Sequence, residues 1–413
     1  MKNTRPHFRK SPPEGVVELV DAIGVSKGLV ALEDGSLFAP ARTEYRISQD
    51  GGHSWSDPKP FPEGAGGTSA LRLQSGSIAM ACGSQVVRTM ELDQQLWVSH
   101  DEAQTWEHHG KVLLFGSPHV KVLIQLKDGR LVFPSRLGLG YYHHPELLPE
   151  NVRSYGMWRG LRTRMGGHYH YPEIDIAAVS YSDDEGRSWE LCTDYGEGAL
   201  MGWFDEQGTP NGRGGVTSVD EPSVAETKDG RLLLFGRSTV GRIVYSYSHD
   251  RGQTWSAVRP ADLAASYSPP YLIQIPKTGD LLCVWNQVSR QEIRLGQKRC
   301  RLSVALSEDC GLSWKNFKTI EVSAGLAEVD RIEPEYPTTS VIAEPHLGVI
   351  PDDFAVFHYP TVSFVDDKVY LIYNRLWLAE GEQDAGARFE SADNVEYGSE
   401  RVLRIYPLEY FYA

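Results

Sequence analysis

Cysteine is scarce in this sequence, with five residues among 413, and none of them forms a CxxC pair or a spacing typical of metal ligands. An odd number of scattered cysteines predicts free, buried thiols in a reducing compartment rather than a disulfide framework. The chain also lacks any run of about 18 apolar residues, so we expect no membrane-spanning helix. No apolar stretch follows the basic N-terminal residues, so we recognise no secretory signal and expect a cytoplasmic protein, unless a signal has been removed.

Positive charge is in deficit, because 41 lysines and arginines face 55 aspartates and glutamates and leave a formal net charge of −14. A nucleic-acid-binding protein normally presents a basic face, so this balance argues against that class. It does not exclude an acidic substrate, since a local arginine cluster can reverse the field inside a cleft. We therefore expect neither a nucleic-acid nor a membrane partner, and the sequence does not indicate an oligomeric state.

An eight-residue motif, Ser-x-Asp-x-Gly-x-Ser/Thr-Trp, recurs along the chain. Its five copies occupy residues 48–55, 99–106, 182–189, 248–255 and 307–314. The aspartate side chain can accept hydrogen bonds from the backbone of a tight turn, and the glycine supplies a positive φ. The second copy has Ala103 in the glycine position, which makes its turn the least certain. These motifs predict structure and carry no chemistry themselves.

A second repeat alternates with the first and consists of two apolar strands around a short turn, mostly containing glycine. Its six copies read LVALEDGSLFAP, LRLQSGSIAMA, VLIQLKDGRLVFP, VAETKDGRLLLF, LIQIPKTGDLLCV and VSFVDDKVYLIY. Alternating apolar residues around a DG or SG turn are a strong hairpin signal. Six hairpins, five of them followed by the eight-residue motif, predict six blades arranged radially.

The predicted fold is therefore an all-β, six-bladed β-propeller forming a single domain over residues 1–413. We expect the blades at about 24–60, 65–112, 118–195, 219–260, 268–320 and 336–413, with the last residues as a closing strand. The stretch from about 137 to 175 does not fit the repeat and is rich in aromatic residues, His, Arg and Gly. A long insert of this kind is usually functional, so we predict an inserted loop over one face of the propeller.

This arrangement of five Asp-box motifs on six blades resembles the sialidase (neuraminidase) superfamily, over nearly the whole chain. The resemblance implies a glycoside hydrolase that binds a carboxylated sugar with three arginines. It also implies a tyrosine nucleophile activated by a glutamate, which departs from two-carboxylate glycosidase chemistry. Because an anionic sugar would repel a carboxylate nucleophile, a neutral phenol suits this substrate better.

Four family positions are carried over onto the later blades. Glu221 and Arg237, in the fourth hairpin, match the activating glutamate and one triad arginine. Arg299 matches the arginine that precedes the fifth box, although Arg301 is close enough to be the true match. Tyr359 precedes the last hairpin at the position of the nucleophile, the alternative being a tyrosine that packs at the blade end.

The first blade departs from the family pattern. Val25 falls where the family has a triad arginine, and Lys27 could substitute only as a point charge, because it cannot form a bidentate pair with a carboxylate. Arg42 matches a second arginine of that blade. The loop that should carry the acid/base aspartate is missing, and Glu44 is the one nearby carboxylate.

Other polar residues are candidates for the acid/base or for substrate binding. His119 and Arg136 flank the third hairpin and could bind substrate, and a histidine can act as a general acid near neutral pH. The insert adds four further candidates: His168, His170, Glu173 and Asp175. The His-x-His at 168–170 has no third ligand at a recognisable spacing, so we predict no metal, and nothing indicates a cofactor.

Three functions remain open from the sequence. The first is an exo-acting, retaining glycoside hydrolase that removes a terminal sialic acid or related nonulosonic acid from a glycan or glycoconjugate. The second is a hydrolase for another acidic sugar, such as a uronic acid, with possible inversion through two carboxylates. The third is a propeller that binds glycans or a protein without catalysis, which the altered first blade would suit. Architecture alone does not choose among them.

Overall fold

The computed structural model describes residues 11–83, 94–112, 123–139, 154–158, 161–165, 174–192, 219–238, 240–294, 299–335, 355–378 and 397–413. These ranges consist mainly of strands and turns, with one short α-helix, α1 (Arg290–Arg294), and a 3₁₀ helix at Leu408–Phe411. None of the helices in these ranges is long and apolar enough to cross a bilayer. Three of their cysteines are buried free thiols and one is a half-buried free thiol, namely Cys192, Cys283, Cys300 and Cys310.

The strands follow the predicted repeat closely. In chain order they are β1 (Val17–Val20), β2 (Val30–Ala31), β3 (Leu37–Ala41), β4 (Glu44–Ser48), β5 (Lys59–Pro60), β6 (Ser69–Arg72), β7 (Ile78–Gly83), β8 (Gln94–Ser99), β9 (Glu107–Lys111), β10 (Ile124–Gln125), β11 (Leu131–Leu139), β12 (Ser154–Trp158), β13 (Leu161–Met165), β14 (Ile174–Ser182), β15 (Glu190–Leu191), β16 (Asp220–Glu226), β17 (Leu232–Arg237), β18 (Arg242–Ser248), β19 (Arg259–Ala264), β20 (Tyr271–Gln274), β21 (Leu281–Trp285), β22 (Arg301–Ser307), β23 (Lys315–Val322), β24 (Ala355–Val365), β25 (Lys368–Leu378) and β26 (Tyr397–Pro407).

These strands form six antiparallel sheets. Five sheets have four strands, in the orders β2-β3-β4-β5, β6-β7-β8-β9, β16-β17-β18-β19, β20-β21-β22-β23 and β1-β26-β25-β24, and one sheet has six. Each sheet contains one of the six predicted hairpins. The six-bladed β-propeller expected from the repeats is confirmed.

The chain divides into two compact units. One consists of residues 1–24, 237–243 and 260–413, and the other of residues 25–236 and 244–259. The fourth sheet, β16–β19, has residues in both units, and every other sheet lies within one. That the whole chain folds as a single domain with the blade boundaries given above stays a prediction.

The last sheet combines strands from both ends of the chain. β1 pairs antiparallel with β26, with Val17 opposite Ile405 and Val20 opposite Val402. β26 also pairs along its full length with β25, so the C-terminal segment is a strand, as expected. The N-terminal strand covers an edge of β26 that would otherwise present unpaired backbone groups.

The insert differs from the predicted loop. β11 and β14 continue as a paired ladder up to Leu139 opposite Ile174, which lengthens the third sheet. β12 and β13 form a hairpin within the insert, and β13 pairs with β11 through Met165 and Leu139. The third sheet is therefore six-stranded, in the order β12-β13-β11-β14-β15, with β10 also paired to β11. This segment does not match the repeated hairpin, so the repeat did not indicate these strands.

The Asp-box turns make the hydrogen bonds that the motif predicts. In the third box, the Gly186 amide donates to Ser182 Oγ at 2.8 Å, and the Ser188 amide donates to Asp184 Oδ1 at 2.8 Å. The indole of Trp189 donates to the Gly186 carbonyl at 3.0 Å. The second box keeps the backbone bonds of this pattern despite its alanine, because Ala103 adopts a φ of 65° and its amide reaches Ser99 Oγ at 2.9 Å. The indole nitrogen of Trp106, by contrast, has no hydrogen-bond partner in the described ranges.

A buried ionic cluster ties four strands of the first unit together. Glu321 on β23 accepts hydrogen bonds from Arg404 Nη2 at 2.9 Å, from Arg375 and from the Tyr373 hydroxyl at 2.5 Å. Arg404 Nε also donates to Glu18 on β1 at 2.8 Å. Because these charges are buried, each depends on its partners to offset the loss of hydration.

Candidate active site

Left-handed backbone conformations mark the predicted site residues. Twelve described residues other than glycine have a positive φ; five of them lie in Asp boxes, and Asp366 lies in the last hairpin turn. The other six are Asp21, Arg42, Glu221, Arg299, Asn316 and Tyr359. Asp and Asn tolerate this region, whereas for other residues it costs about 1–2 kcal/mol. Such strain persists where the surroundings impose it, and it is concentrated at functional sites.

The four of these residues that are neither Asp nor Asn lie at comparable places in their sheets; they are Arg42, Glu221, Arg299 and Tyr359. We call the end of a sheet that carries the tight hairpin turn its turn end, and the opposite end its far end. Arg42 lies in the connection between β3 and β4. β4 ends at Ser48, where the Asp box begins at the turn end, so the connection that holds Arg42 is at the far end. Glu221 lies near the start of β16, and Arg299 two residues before β22, both at far ends. Tyr359 lies in the first half of β24, at an irregularity in the pairing of β24 with β25.

Two glycines hold the backbone of Arg42 in place. The Arg42 amide donates to the Gly67 carbonyl at 2.6 Å, and the Gly67 amide donates back to the Arg42 carbonyl at 2.8 Å. A Cβ at Gly66 would lie 2.3 Å from that carbonyl oxygen, and a Cβ at Gly67 would lie 2.3 Å from Met80 Cγ. The close approach therefore requires glycine at both positions. The Arg42 side chain is exposed, and it makes no hydrogen bond or ion pair within the described ranges.

Other residues of the first blade lie close to Arg42 along the chain or through the same segment. The Lys27 amide donates to the Thr68 carbonyl at 2.6 Å. The backbones of Lys27 and Arg42 are therefore hydrogen-bonded to adjacent residues, Thr68 and Gly67, just before β6. Glu44 is half-buried in β4, opposite Ala41. Val25, at the position of the missing arginine, is 43% exposed and offers no charge. Lys27 and Arg42 carry the positive charges of this part of the first blade.

Glu221 and Arg237 are both buried, each in its own unit. Glu221 has no exposed surface, and its φ is 41°. Arg237 is 4% exposed and lies face-on to Tyr267, with its Cζ 3.5 Å from the ring centroid. This cation–π stacking fixes the plane of the guanidinium group. A carboxylate and a guanidinium as buried as these are retained at a large desolvation cost.

Arg299, His358 and Tyr359 form a polar cluster in the first unit. Arg299 Nη1 donates to His358 Nδ1 at 2.7 Å, so this ring nitrogen is the acceptor and the imidazole is not doubly protonated. The Arg299 Cζ lies 5.5 Å from the Tyr359 ring centroid, and the His358 and Tyr359 rings lie 5.9 Å apart. The Phe357 amide donates to the Arg299 carbonyl at 2.9 Å, which ties the two segments together.

Asn286 connects this cluster to the loop that carries Tyr267. Its side-chain amide donates to the carbonyls of Arg301 at 3.0 Å and Phe357 at 2.9 Å. The backbone carbonyl of Asn286 accepts a hydrogen bond from the Ser266 amide at 3.2 Å. Arg237 stacks on Tyr267, the next residue, so one hydrogen-bonded framework positions both Arg237 and Arg299. A buried network of this kind fixes side-chain positions when its members are satisfied.

Arg301, the alternative to Arg299, is committed elsewhere. It is 1% exposed, and its guanidinium donates to Glu292 at 2.9 Å, to the Ala327 carbonyl at 2.9 Å and to the Gln287 carbonyl at 3.1 Å. Arg299 is half-buried and has the polar partner His358 beside Tyr359. The geometry therefore favours Arg299 as the ligand-binding arginine of the fifth blade.

Several predicted residues cannot be assigned a place in the site. His119, His168, His170 and Glu173 lie outside the described residues. Arg136 and Asp175 lie in β11 and β14, and only their backbone positions are described, opposite Ala177 and Gly138. Sequence reasoning missed His358, Tyr267 and Asn286. The signal for His358 was its position next to Tyr359, whereas Tyr267 and Asn286 lie in segments without a motif.

In the first unit the described side chains provide the cations Arg237 and Arg299 and a tyrosine, and in the second unit they provide Arg42 and the buried carboxylate of Glu221. Arginine side chains can pair with carboxylates through two parallel hydrogen bonds, so Arg42, Arg237 and Arg299 are suited to an anionic ligand. Glu221 can accept a proton. The Asp-boxes contribute none of these groups, which agrees with a structural role for the repeat.

Comparison with known proteins places the chain by family and by fold. The family model described as a BNR repeat-like domain matches residues 83–371, which is more than half of the chain. A search among curated proteins found no match.

Solved structures that are similar to this chain include several glycosidases. A Fusarium graminearum α-L-arabinofuranosidase in complex with an iminosugar inhibitor is 12% identical, with a TM-score of 0.51 and 100% of both chains covered. A Penicillium chrysogenum α-L-arabinanase complexed with arabinobiose is 12% identical, with a TM-score of 0.47, covering 97% of this chain and 96% of that one. A mutant Trypanosoma rangeli sialidase displaying trans-sialidase activity is 14% identical, with a TM-score of 0.48, covering 96% of this chain and 60% of that one.

Identities this low speak to fold alone, and the family match rests on the repeat itself. The Asp-box turns and the six sheets lie in the part of the chain that the family model matches or continue it. The resemblance to the Asp-box propellers of the sialidase superfamily therefore holds for the architecture. The chain belongs to the BNR repeat-like domain family.

Proposed function

We propose that this chain is an exo-acting glycoside hydrolase that removes a terminal acidic sugar, a sialic acid or related nonulosonic acid, from a glycan or glycoconjugate. The observation that carries the proposal is the left-handed backbone of Arg42, Glu221, Arg299 and Tyr359. All four are positions that match site residues of the sialidase family in the resemblance described above. Strain in four such residues is expected of a binding or catalytic site and not of ordinary strand ends.

In this proposal the arginines bind the sugar and its carboxylate. Arg42 is exposed and without ionic partners in the described ranges, so its guanidinium is available to a ligand. Arg237 and Arg299 are held by Tyr267 and His358, so little side-chain entropy is lost when they bind. The net charge of −14 does not oppose this role, because a local cluster of cations governs the field at short range.

Tyr359 is the proposed nucleophile and Glu221 its base. The phenol oxygen attacks the anomeric carbon while Glu221 takes the phenolic proton, directly or through a water molecule. The bond to the leaving oxygen breaks, and that oxygen takes a proton from a general acid, for which Glu44 is the candidate from the first blade. Water then attacks the anomeric carbon and gives a proton to the Glu44 carboxylate, while the bond to the tyrosine oxygen breaks and the phenol regains its proton from Glu221. Two inversions at the anomeric carbon give net retention. The guanidinium of Arg299 beside the ring favours the developing negative charge on the phenol oxygen.

A second candidate keeps these residues but changes the sugar. Val25 stands, exposed, where the sialidase pattern has an arginine, and Lys27, two residues later, can supply only a point charge there. A smaller acidic sugar such as a uronic acid needs fewer carboxylate contacts, and inversion through two carboxylates would then replace the tyrosine route. A propeller that binds glycans without turnover is the non-catalytic alternative.

The test is a panel of aryl glycosides with matched variants. Wild type should hydrolyse an aryl α-sialoside, and Glu221→Gln should lower kcat/KM by about 100- to 10,000-fold, as loss of a general base does. Tyr359→Phe should lower it at least as far. Tyr45→Phe, which removes a hydroxyl from a ring packed on Phe38 at 5.3 Å, should retain full activity.

The outcomes separate the candidates. Turnover of an aryl uronide but not of the sialoside would select the second sugar class, and proton NMR of the first anomer released distinguishes retention from inversion. Binding of acidic glycans without turnover of any aryl glycoside would select the non-catalytic reading. Unchanged activity in both Tyr359→Phe and Glu221→Gln would reject the assigned residues.

A further inference from the structure

A cluster of two histidines and a glutamate lies beside the second Asp box, apart from the candidate active site. His100 belongs to the box turn, and Glu107 and His109 lie in β9, where the pairing with β8 is irregular at His109. Glu107 Oε2 lies 3.5 Å from His100 Nε2 and 3.5 Å from His109 Nε2. All three atoms lie within 4.8 Å of one another. The cluster is at the turn end of the second sheet, whereas Arg42 is at the far end of the first.

Hydrogen bonds set which imidazole nitrogens face inward. His109 Nδ1 lies 3.1 Å from the carbonyl oxygen of Glu185, which can only accept, so the proton of a neutral His109 is on Nδ1. Its Nε2 then presents a lone pair toward Glu107. The His109 side chain is 1% exposed, and its Nε2 has no hydrogen-bond partner in the described ranges. A buried nitrogen aimed at a carboxylate without a hydrogen bond is costly unless something else binds it.

The outer partners of the cluster are those of a metal site. His100 Nδ1 lies 2.8 Å from Ser77 Oγ, and Arg187 Nη1 lies 3.4 Å from Glu107 Oε1. Each of the three residues is therefore held through the atom that does not face the centre. Metal-binding histidines in proteins are usually oriented in this way, through their second ring nitrogen, and ligating carboxylates are themselves hydrogen-bonded.

The spacing of the inner atoms fits a tetrahedral ion. With metal–ligand bonds of about 2.0–2.1 Å, two ligand atoms of a tetrahedral zinc site lie about 3.4 Å apart. Two of the three separations here are 3.5 Å, and the third, between the two histidine nitrogens, is at most 4.8 Å. The ring of His100 is exposed and is the one that would have to turn inward around an ion. Two imidazoles and one carboxylate suit zinc or a similar transition metal, and they do not suit calcium or magnesium, which prefer oxygen ligands.

We propose that His100, Glu107 and His109 bind a zinc-class divalent cation, with a fourth position left to water. The site joins β9 to the second box turn, and through Glu185 to the third box turn, so its role is structural. Ala103, which replaces the usual glycine of the second box, lies three residues from His100, and a metal there would reinforce the one box whose sequence departs from the motif.

The experiment uses the full chain, freed of metal with EDTA and titrated with Zn²⁺ by calorimetry, with Ca²⁺ in parallel. Wild type should bind one zinc per chain with a Kd of about 1 µM or tighter. His100→Ala and Glu107→Gln change exposed side chains, so both variants should fold, and each should weaken binding by at least about 100-fold. Zinc should also raise the Tm of wild type by several degrees and leave that of His100→Ala unchanged.

His108→Ala is the matched control. His108 lies between the two proposed β9 ligands but points to the other face, where its ring lies 4.8 Å from the ring of Trp97. This variant should keep zinc binding within about 3-fold of wild type, well inside the 10-fold change that a lost outer partner typically causes. The proposal is overturned if wild type takes up no zinc, if His100→Ala and Glu107→Gln bind as wild type does, or if calcium binds equally well.

Discussion

Arg42 offers a direct test of whether the candidate site stores strain. At an ordinary position, glycine makes a protein less stable than alanine by about 0.5–1 kcal/mol, because the unfolded chain gains freedom. At Arg42, φ is 68°, and a residue with a Cβ incurs about 1–2 kcal/mol in that region, which glycine avoids. The exposed side chain contributes no packing or hydrogen bond within the described ranges that would obscure the comparison.

We therefore expect the usual order of stability to reverse at this position. The two terms leave Arg42→Gly more stable than Arg42→Ala by about 0.5–1 kcal/mol. Glu44, two residues later in β4, is the control, because it does not have a positive φ. There Glu44→Gly should be less stable than Glu44→Ala by about 0.5–1 kcal/mol. The quantity to compare is the free energy of unfolding, from urea denaturation followed by tryptophan fluorescence.

Activity should change differently from stability in these variants. Both Arg42→Gly and Arg42→Ala lose the guanidinium, so both should bind an acidic sugar more weakly, by about 10- to 100-fold for the loss of a charged hydrogen-bonding group. A variant that is more stable and less active is the expected signature of a strained functional residue. If Arg42→Ala proves as stable as Arg42→Gly or more stable, the strain argument is wrong at this position.

Two further predictions concern stability. Glu321→Gln removes the negative charge that pairs with Arg404 and Arg375 in the buried cluster, and it should lower the free energy of unfolding by about 3–5 kcal/mol. The control Glu308→Gln breaks an exposed pair with Lys315 and should lower it by at most about 1 kcal/mol. Similar small losses of unfolding free energy in the two variants would contradict this. The hydroxyl of Thr105 donates a hydrogen bond to Asp101 and holds the pKa of that carboxyl below its ordinary value. The stability that this interaction contributes is fully present above the pKa of about 4 in the unfolded chain, and it is lost as pH falls through the lower pKa of the folded chain. Asp101→Asn should therefore be less stable than wild type at pH 7 and should lose less stability between pH 4 and 2, and equal acid sensitivity of the two proteins would count against this role.

The repeats made the fold predictable from the sequence. Each Asp box carries its own turn chemistry within eight residues, and each hairpin alternates around a short turn, so local signals sufficed for the blades. The pairing of β1 with β26 joins residues nearly 400 positions apart, such as Val17 and Ile405, and no local pattern indicates it. The hairpin of β12 and β13 was missed because it does not belong to the repeat from which the blades were predicted.

The site was predictable only as far as the motif reached. Blade counting located Glu221, Arg299 and Tyr359, but it could not separate Arg299 from Arg301. That distinction depends on burial and on the bonds from Arg301 to Glu292, which exist only in the folded chain. The same holds for the strained conformations, because positive φ at arginine, glutamate and tyrosine runs against their intrinsic preference. The His100, Glu107 and His109 cluster escaped notice because a turn and a strand bring its members together.

Trapping the glycosyl intermediate is the most direct test of the central claim that Tyr359 is a nucleophile with Glu221 as its base. The full chain is incubated with a 2,3-difluoro acidic sugar, whose fluorine at C3 slows breakdown of the intermediate, and its intact mass is measured. The account predicts a mass increase of one glycosyl group, located on Tyr359 by peptide mapping and absent in Tyr359→Phe. A label on another residue, or turnover of the aryl substrate in Tyr359→Phe at the wild-type rate, would contradict it.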